Sequence, residues 1–246
     1  MSTTTDDRYD QVLGLYDAGE LEPEGADAWR ELAEALLFAG RTPEATDAFR
    51  QVVELRPDDA AALVDLAHAA YAAGNVDEAT AYVTQAAERD PGNPAALRAL
   101  VDIHRAAGRT ADALTAAERL AEASPDDVAT AIDLAQLNLS LDRPQEASAA
   151  FARLRQIDDD PEHEVYAYHG MIQAEIQQEQ WRRALDLAIE ATRVDRYGRT
   201  TDVLAYVVTQ VFGAADRPAP SRKDIDNTLE ASQAEHRRLH EEGLVF

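Results

Sequence analysis

The chain has 246 residues, no cysteine and a formal net charge of −24. The lack of cysteine excludes disulfides, thiolate nucleophiles and thiolate-bound metals. The acid excess argues against nucleic acid as a partner, because phosphate contacts need clustered lysine and arginine. In chain order, the first expected helix covers residues 6–19, with Tyr9, Leu13 and Tyr16 on one face. Residues 1–25 then read as a half-unit capping the N-terminal end of a repeat array. From Ala26 onward a 34-residue step appears: Trp29, Leu63 and Leu97 keep it, as do Leu32, Leu66 and Leu100. Ala45, Ala79 and Ala113 keep the same step, as do Gly40, Gly74 and Gly108, and Pro57, Pro91 and Pro125. A fixed period of this size signals stacked helix-turn-helix repeats.

Five units are placed at 26–59, 60–93, 94–127, 128–164 and 165–198. Helix A of the first unit carries Trp29, Leu32, Ala33 and Leu36 at helical spacing. Gly40 ends it, helix B carries Ala45, Phe49 and Val52, and Pro57 stops helix B. The small residue at 45, 79 and 113 lets the two helices of a unit approach closely. The fourth unit has Asp142 at the turn-glycine position and three extra residues, assigned to an acidic turn at 158–162. The fifth has Glu179 at that glycine position. Residues 199–246 read as a degenerate sixth unit. Leu204, Val207, Val208 and Val211 mark its helix A, and Ser221 with Asp224 starts a C-terminal helix running to about Glu242 in capping-box fashion. About thirteen helices and no strands are expected.

The motif W-x2-L-A-x2-L, then A-x3-F-x2-V and a closing Pro, runs complete from Trp29 to Pro57. On these residues the chain resembles the tetratricopeptide repeat (TPR) family over almost its whole length. The resemblance implies an all-α, right-handed solenoid with a concave groove lined mainly by helix A. It also implies binding of a peptide or partner protein in that groove. A clamp of Lys and Asn on successive A helices, which some members use on chaperone C-termini, is absent. The matching positions hold Arg30, Glu34, Val64, Asp65 and His68.

By register, the groove is expected to present Arg30, Glu34 and Phe38, then Val64, His68 and Tyr71, then Arg98, Asp102 and Arg105. The fourth unit adds Ile132, Gln136 and Leu139, and the fifth His169, Gln173 and Ile176. Arg98 and Arg105 lie two turns apart on one face, and their planar guanidinium groups suit a ligand carboxylate. The alternative is pairing with Asp102 and other acids within the fold. Tyr71, Ile132 and Leu139 would supply apolar contact.

A second candidate surface is the C-terminal segment 217–246, where Arg217, Arg222 and Lys223 bring three positive charges without an acid between them. It would suit an assembly factor or complex subunit docking on an acidic partner. Otherwise it folds back on the chain's own acids, or forms an ordinary capping helix. His236 and His240 lie one turn apart but lack a third metal ligand, and Asp158–Asp160 lack the glycine and alternation of an EF-hand loop. No metal is therefore expected. No phosphate loop, nucleophile elbow or dinucleotide fingerprint is present, so neither an enzyme nor a cofactor is expected.

Lys223 is the sole lysine against 47 acidic residues, a composition that resembles haloarchaeal, salt-adapted proteins. No run reaches the ~18 apolar residues of a membrane span, and the N-terminus has no apolar signal core. These readings give a cytoplasmic, non-enzymatic scaffold for a protein partner.

Overall fold

The computed structural model describes residues 5–195, 197–214 and 221–227. Among them are twelve helices and no strand. They are α1 (Thr5–Asp17), α2 (Ala26–Phe38), α3 (Thr42–Leu55), α4 (Ala60–Ala72), α5 (Val76–Arg89), α6 (Pro94–Ala106) and α7 (Thr110–Ala123). They continue with α8 (Val128–Ser140), α9 (Pro144–Ile157), α10 (Pro161–Gln177), α11 (Trp181–Val194) and α12 (Thr200–Ala214). Residues 222–227 are also helical. The all-α solenoid class is as expected. The chain divides into two compact units, Met1–Pro125 and Asp126–Phe246.

In the first unit, α2 packs on α3, α4 on α5, α6 on α7, and each pair on the next. Leu32, Leu36, Phe49, Val52 and Leu66 form a buried cluster, against which Val12, Leu13, Tyr16 and Trp29 of α1 and α2 pack. In the second unit α8 packs on α9, α9 on α10, α10 on α11 and α11 on α12. One cluster there centres on Phe151 and Leu154, another on Tyr168, Ile172, Leu204 and Val207. The alanines at the contact of helices A and B, Ala45, Ala79, Ala113, Ala147 and Ala184, are all fully buried.

From α4 to α10, each A helix begins under an Asp or Asn cap. Asp59 accepts from the Ala61 and Ala62 N–H groups, and Asn93 from those of Ala95 and Ala96. Asp127 accepts from Thr130 N–H and Asp160 from Glu162 N–H. These contacts satisfy helix N–H groups that have no partner within the helix. The cap at Asp160, followed by Pro161 at the first helical position, changes the expected fourth boundary. The three extra residues do not lengthen the turn. Together with one residue taken from the turn, they extend α10 to 17 residues, against 13 in α8. α10 thus starts ahead of the expected unit boundary at 165, and Pro161 and Glu162 are helical.

The turn between helices A and B adopts the same left-handed backbone in all five units. Gly40, Gly74 and Gly108 have φ of 73°, 86° and 70°. Asp142 and Glu179 hold φ of 55° and 56° without being glycine. An L side chain there is strained by roughly 1 kcal/mol. Glu179→Gly is therefore expected to raise stability by roughly 0.5–1 kcal/mol, and Gly74→Ala to lower it by about 1 kcal/mol, in urea titrations.

One other glycine is fixed by packing. A Cβ on Gly170 of α10 would stand 2.1 Å from the Phe151 ring of α9. Phe151 is 1% exposed and has no room to withdraw. Gly170→Ala should cost about 3 kcal/mol. Adding Phe151→Leu should cost less than the sum of the two single changes in a double-mutant cycle.

Candidate partner-binding faces

Helices A of neighbouring repeats touch one another, α4 on α6 in the first unit, and α8 on α10 and α10 on α12 in the second. Glu34, His68, Asp102, Gln136 and Gln173 occupy one equivalent position on successive A helices, and all five are exposed. The residues four before them are Arg30, Val64, Arg98, Ile132 and His169, and none is exposed. That position lies at the seam between adjacent A helices. A long side chain reaches out from it, while a short one is covered. Val64 is only 7% exposed, which corrects its expected place on the open surface.

In the first unit, Arg30 sits 3.5 Å from Asp59 and 3.4 Å from Asp65. Burial pushes the Asp65 carboxyl up, and the Arg30 charge opposes this without cancelling it. Glu34 accepts a hydrogen bond from the Tyr9 hydroxyl at 3.1 Å. The Tyr9 ring tilts against Phe38 with centroids 5.7 Å apart, so Tyr9 reaches the α2 surface, while Leu13 and Tyr16 of α1 pack on the core. Phe38 and Tyr71 remain 60% and 42% exposed, large apolar areas for a surface otherwise rich in charge. Arg98 is half-buried, Asp102 and Arg105 are exposed, and all three have interaction partners within the fold.

In the second unit, Gln136 donates from Nε2 to the Tyr166 hydroxyl at 2.6 Å, tying α8 to α10. Ile132, Leu139 and Ile176 are half-buried beside Gln136 and Gln173. His169 is also half-buried, and its Nε2 lies 3.0 Å from the Thr200 hydroxyl, linking α10 to α12. His169 therefore braces the helices as well as lining the surface. The Thr200 N–H in turn meets Asp195 at 2.5 Å, and the Tyr197 N–H meets it at 3.0 Å. Burial alone would push the Asp195 carboxyl up, but these hydrogen bonds hold it below the usual carboxylate range.

The C-terminal cations behave differently from one another. Arg222 is held between Asp202 at 2.7 Å and Asp226 at 2.8 Å, which ties the segment to α12. Lys223 is exposed, and Arg217 lies outside the described residues, as do His236, His240 and the rest of the expected C-terminal helix. The start of that helix does form a capping box, with Ser221 N–H 3.2 Å from the Asp224 carboxylate and Asp224 N–H 3.2 Å from Ser221 Oγ. In the acidic turn, Asp158 accepts from the Asp160 N–H at 3.0 Å and pairs with His163. Among the described residues no three His, Asp or Glu side chains gather as a metal site, and no helix is long and apolar enough to cross a membrane.

Sequence reasoning missed the caps, although Asp59, Asn93 and Asp127 keep the 34-residue step. It also missed the buried polar side chains. Asn138 and Glu175, at equivalent places in α8 and α10, are 6% and 9% exposed. Their counterpart in α6, His104, is half-buried, and its Nδ1 has no hydrogen-bond partner among the described residues. Nothing in composition distinguishes such residues from surface ones.

These paired helices and their exposed A faces define a repeat protein of the helix-turn-helix solenoid class. Family models described as tetratricopeptide repeat match residues 39–103, 70–127 and 104–167, and a second such model matches 7–60. The chain belongs to the tetratricopeptide repeat family. A crystal structure of MamA protein is similar with a TM-score of 0.61 at 14% identity, over 70% of this chain and 93% of that one. MamA from Desulfovibrio magneticus RS-1 gives 0.58 at 16%, over 71% and 97%. YrrB, described as a TPR protein with an unusual peptide-binding site, gives 0.56 at 16%, over 81% and 100%. At such identities the likeness is one of fold. No curated protein matches the chain by sequence.

Burial holds the His169 and His104 imidazoles below their ordinary value of 6.5, against the charges of Asp195 and Asp112. As pH falls through 6.5 the unfolded chain takes up protons first, so native stability is lost from there down to the lower native values. Between about pH 7.5 and pH 5, His169→Gln should lose less unfolding free energy than the parent chain, measured by urea titration at each pH.

Proposed function

We propose that this protein is a non-enzymatic adaptor that holds a segment of a partner protein against the exposed faces of its A helices. The observation that carries this reading is the register of Glu34, His68, Asp102, Gln136 and Gln173, open on every A helix from α2 to α10. Regular exposure on helices that otherwise bury alanine and leucine gives a partner a repeated set of contacts. On the first unit Phe38 and Tyr71 supply apolar area, and Arg98 and Arg105 orient a carboxylate of the ligand by exchanging their present partners for it; on the second unit Ile132 and Leu139 supply apolar area. Membership of a family whose proteins bind proteins or peptides supports the same reading. The acidic, lysine-poor composition fits a salt-adapted cytoplasm and disfavours nucleic acid.

The test is capture from extracts of the source cells in about 1 M KCl, where the screening length falls to ~3 Å and apolar contacts dominate. The parent chain is compared with a variant carrying Tyr71→Ala and Gln173→Glu. A partner held by the parent and lost by the variant is the expected result. A partner retained by the variant but lost on deletion of residues 217–246 would overturn the reading in favour of an assembly role for the C-terminal segment.

A further inference from the structure

The A helices of the second unit differ in charge from those of the first. The open face of the first unit carries Arg30, Glu34, Arg98, Asp102 and Arg105. In α8 the sole charged residue is Asp133, and it is 6% exposed. In α10 the carboxylates are Glu162 and Glu164 in the first turn, and Glu175, which is 9% exposed. In α12 the sole charge is Asp202 in the first turn, already paired with Arg222 at 2.7 Å. The open surface of α8 and α10 includes exposed Gln136 and Gln173 with half-buried Ile132, Leu139, His169 and Ile176, beside the Tyr166 hydroxyl. In a chain with 28% charged residues and a net charge of −24, this face holds, among the described residues, no exposed ion beyond the first turn of α10.

We infer that the face of α8 and α10 takes an uncharged, extended segment of the partner, a refinement that rests on the adaptor reading above. A Lys, Arg, Asp or Glu laid on this face would lose water without gaining a counter-charge, which is costly. The negative field of the chain adds a further penalty for an acid and offsets part of the cost for a Lys or Arg, which still finds no exposed carboxylate on this face beyond the first turn of α10. Neutral aliphatic side chains lose nothing there and bury against Ile132, Leu139 and Ile176.

The two glutamines favour an extended backbone. A carboxamide offers a donor and an acceptor together, the same pair that a peptide group presents. The Gln136 Nε2 is engaged by Tyr166, which leaves its Oε1 to accept a backbone N–H. Packed helix axes stand about 8–10 Å apart. That distance spans roughly three residues of extended chain at ~3.3 Å each. An extended segment crossing from α8 to α10 would therefore meet the two amides a few residues apart, with aliphatic side chains between them.

A random peptide library displayed on phage, selected on the immobilised full-length chain, tests this directly. The expected result is enrichment of sequences that lack Asp, Glu, Lys and Arg over their shared stretch. A synthetic copy of an enriched sequence should bind about tenfold more weakly to Gln173→Glu, where an amide contact becomes an unpaired charge against the ligand. Its affinity should change by less than about twofold between roughly 0.1 and 1 M KCl. It should also be indifferent to Arg98→Ala with Arg105→Ala. Both glutamines are exposed, so Gln136→Glu serves as a second variant should Gln173→Glu melt early.

Enriched sequences rich in charge, and lost with the arginine variant but not with Gln173→Glu, would overturn this inference. They would leave the adaptor reading standing on the first unit. No enrichment over an empty support would overturn both.

Discussion

The fold depends on how closely two helices approach at one alanine in each repeat. Ala45, Ala79, Ala113, Ala147 and Ala184 are fully buried, each on the B helix where it meets its own A helix. A methyl group there lets the backbones come within the range where leucine and valine on either side interlock. Each extra methylene would lever the pair apart and open the core on both sides of it. The placing of every exposed residue depends on this contact. Once one face of helix A is committed to its partner helix, and a second to the neighbouring repeat, the remaining arc is the one that carries Glu34, His68, Asp102, Gln136 and Gln173.

The periodic part of this was legible in the residues. Trp29, Leu63 and Leu97 announced the step, and Gly40, Gly74 and Gly108 announced a left-handed turn that the backbone indeed adopts. Even the departures at Asp142 and Glu179 could be located, because the repeat says what ought to stand there. What escaped was local competition. The three extra residues near 160 read as a longer acidic turn. Yet Asp160 is a good cap and Pro161 a good first helical residue, so the helix grew instead. Val64 was misplaced for a different reason. Register assigns a position to a face, but side-chain length decides whether it emerges from a seam.

The polar contacts were harder to read, because they join residues about twenty to thirty apart with no shared pattern. Gln136 to Tyr166, His169 to Thr200 and Arg222 to Asp202 each bind one helix to another. The pairings do not recur one step away, even where a residue type does, as at Gln136 and Gln173, so the repeat gives no warning of them. They also show why an excess of acid does not leave each cation looking outward. Where carboxylates outnumber basic groups two to one, an arginine on the surface finds an internal partner before an external one. Arg30, Arg41, Arg109 and Arg153 do so as well as Arg222.

Each helix in a unit packs chiefly against the helices next to it in sequence. The chain therefore closes only short loops while it folds, and the entropy of bringing distant segments together is largely avoided. Structure can begin at any helix pair and spread to its neighbours, since no pair waits for a remote strand or terminus to complete it. The same locality governs how such a chain changes over generations. Duplication or loss of one 34-residue step leaves every other contact in kind, so the number of repeats can drift while each surviving face keeps its character.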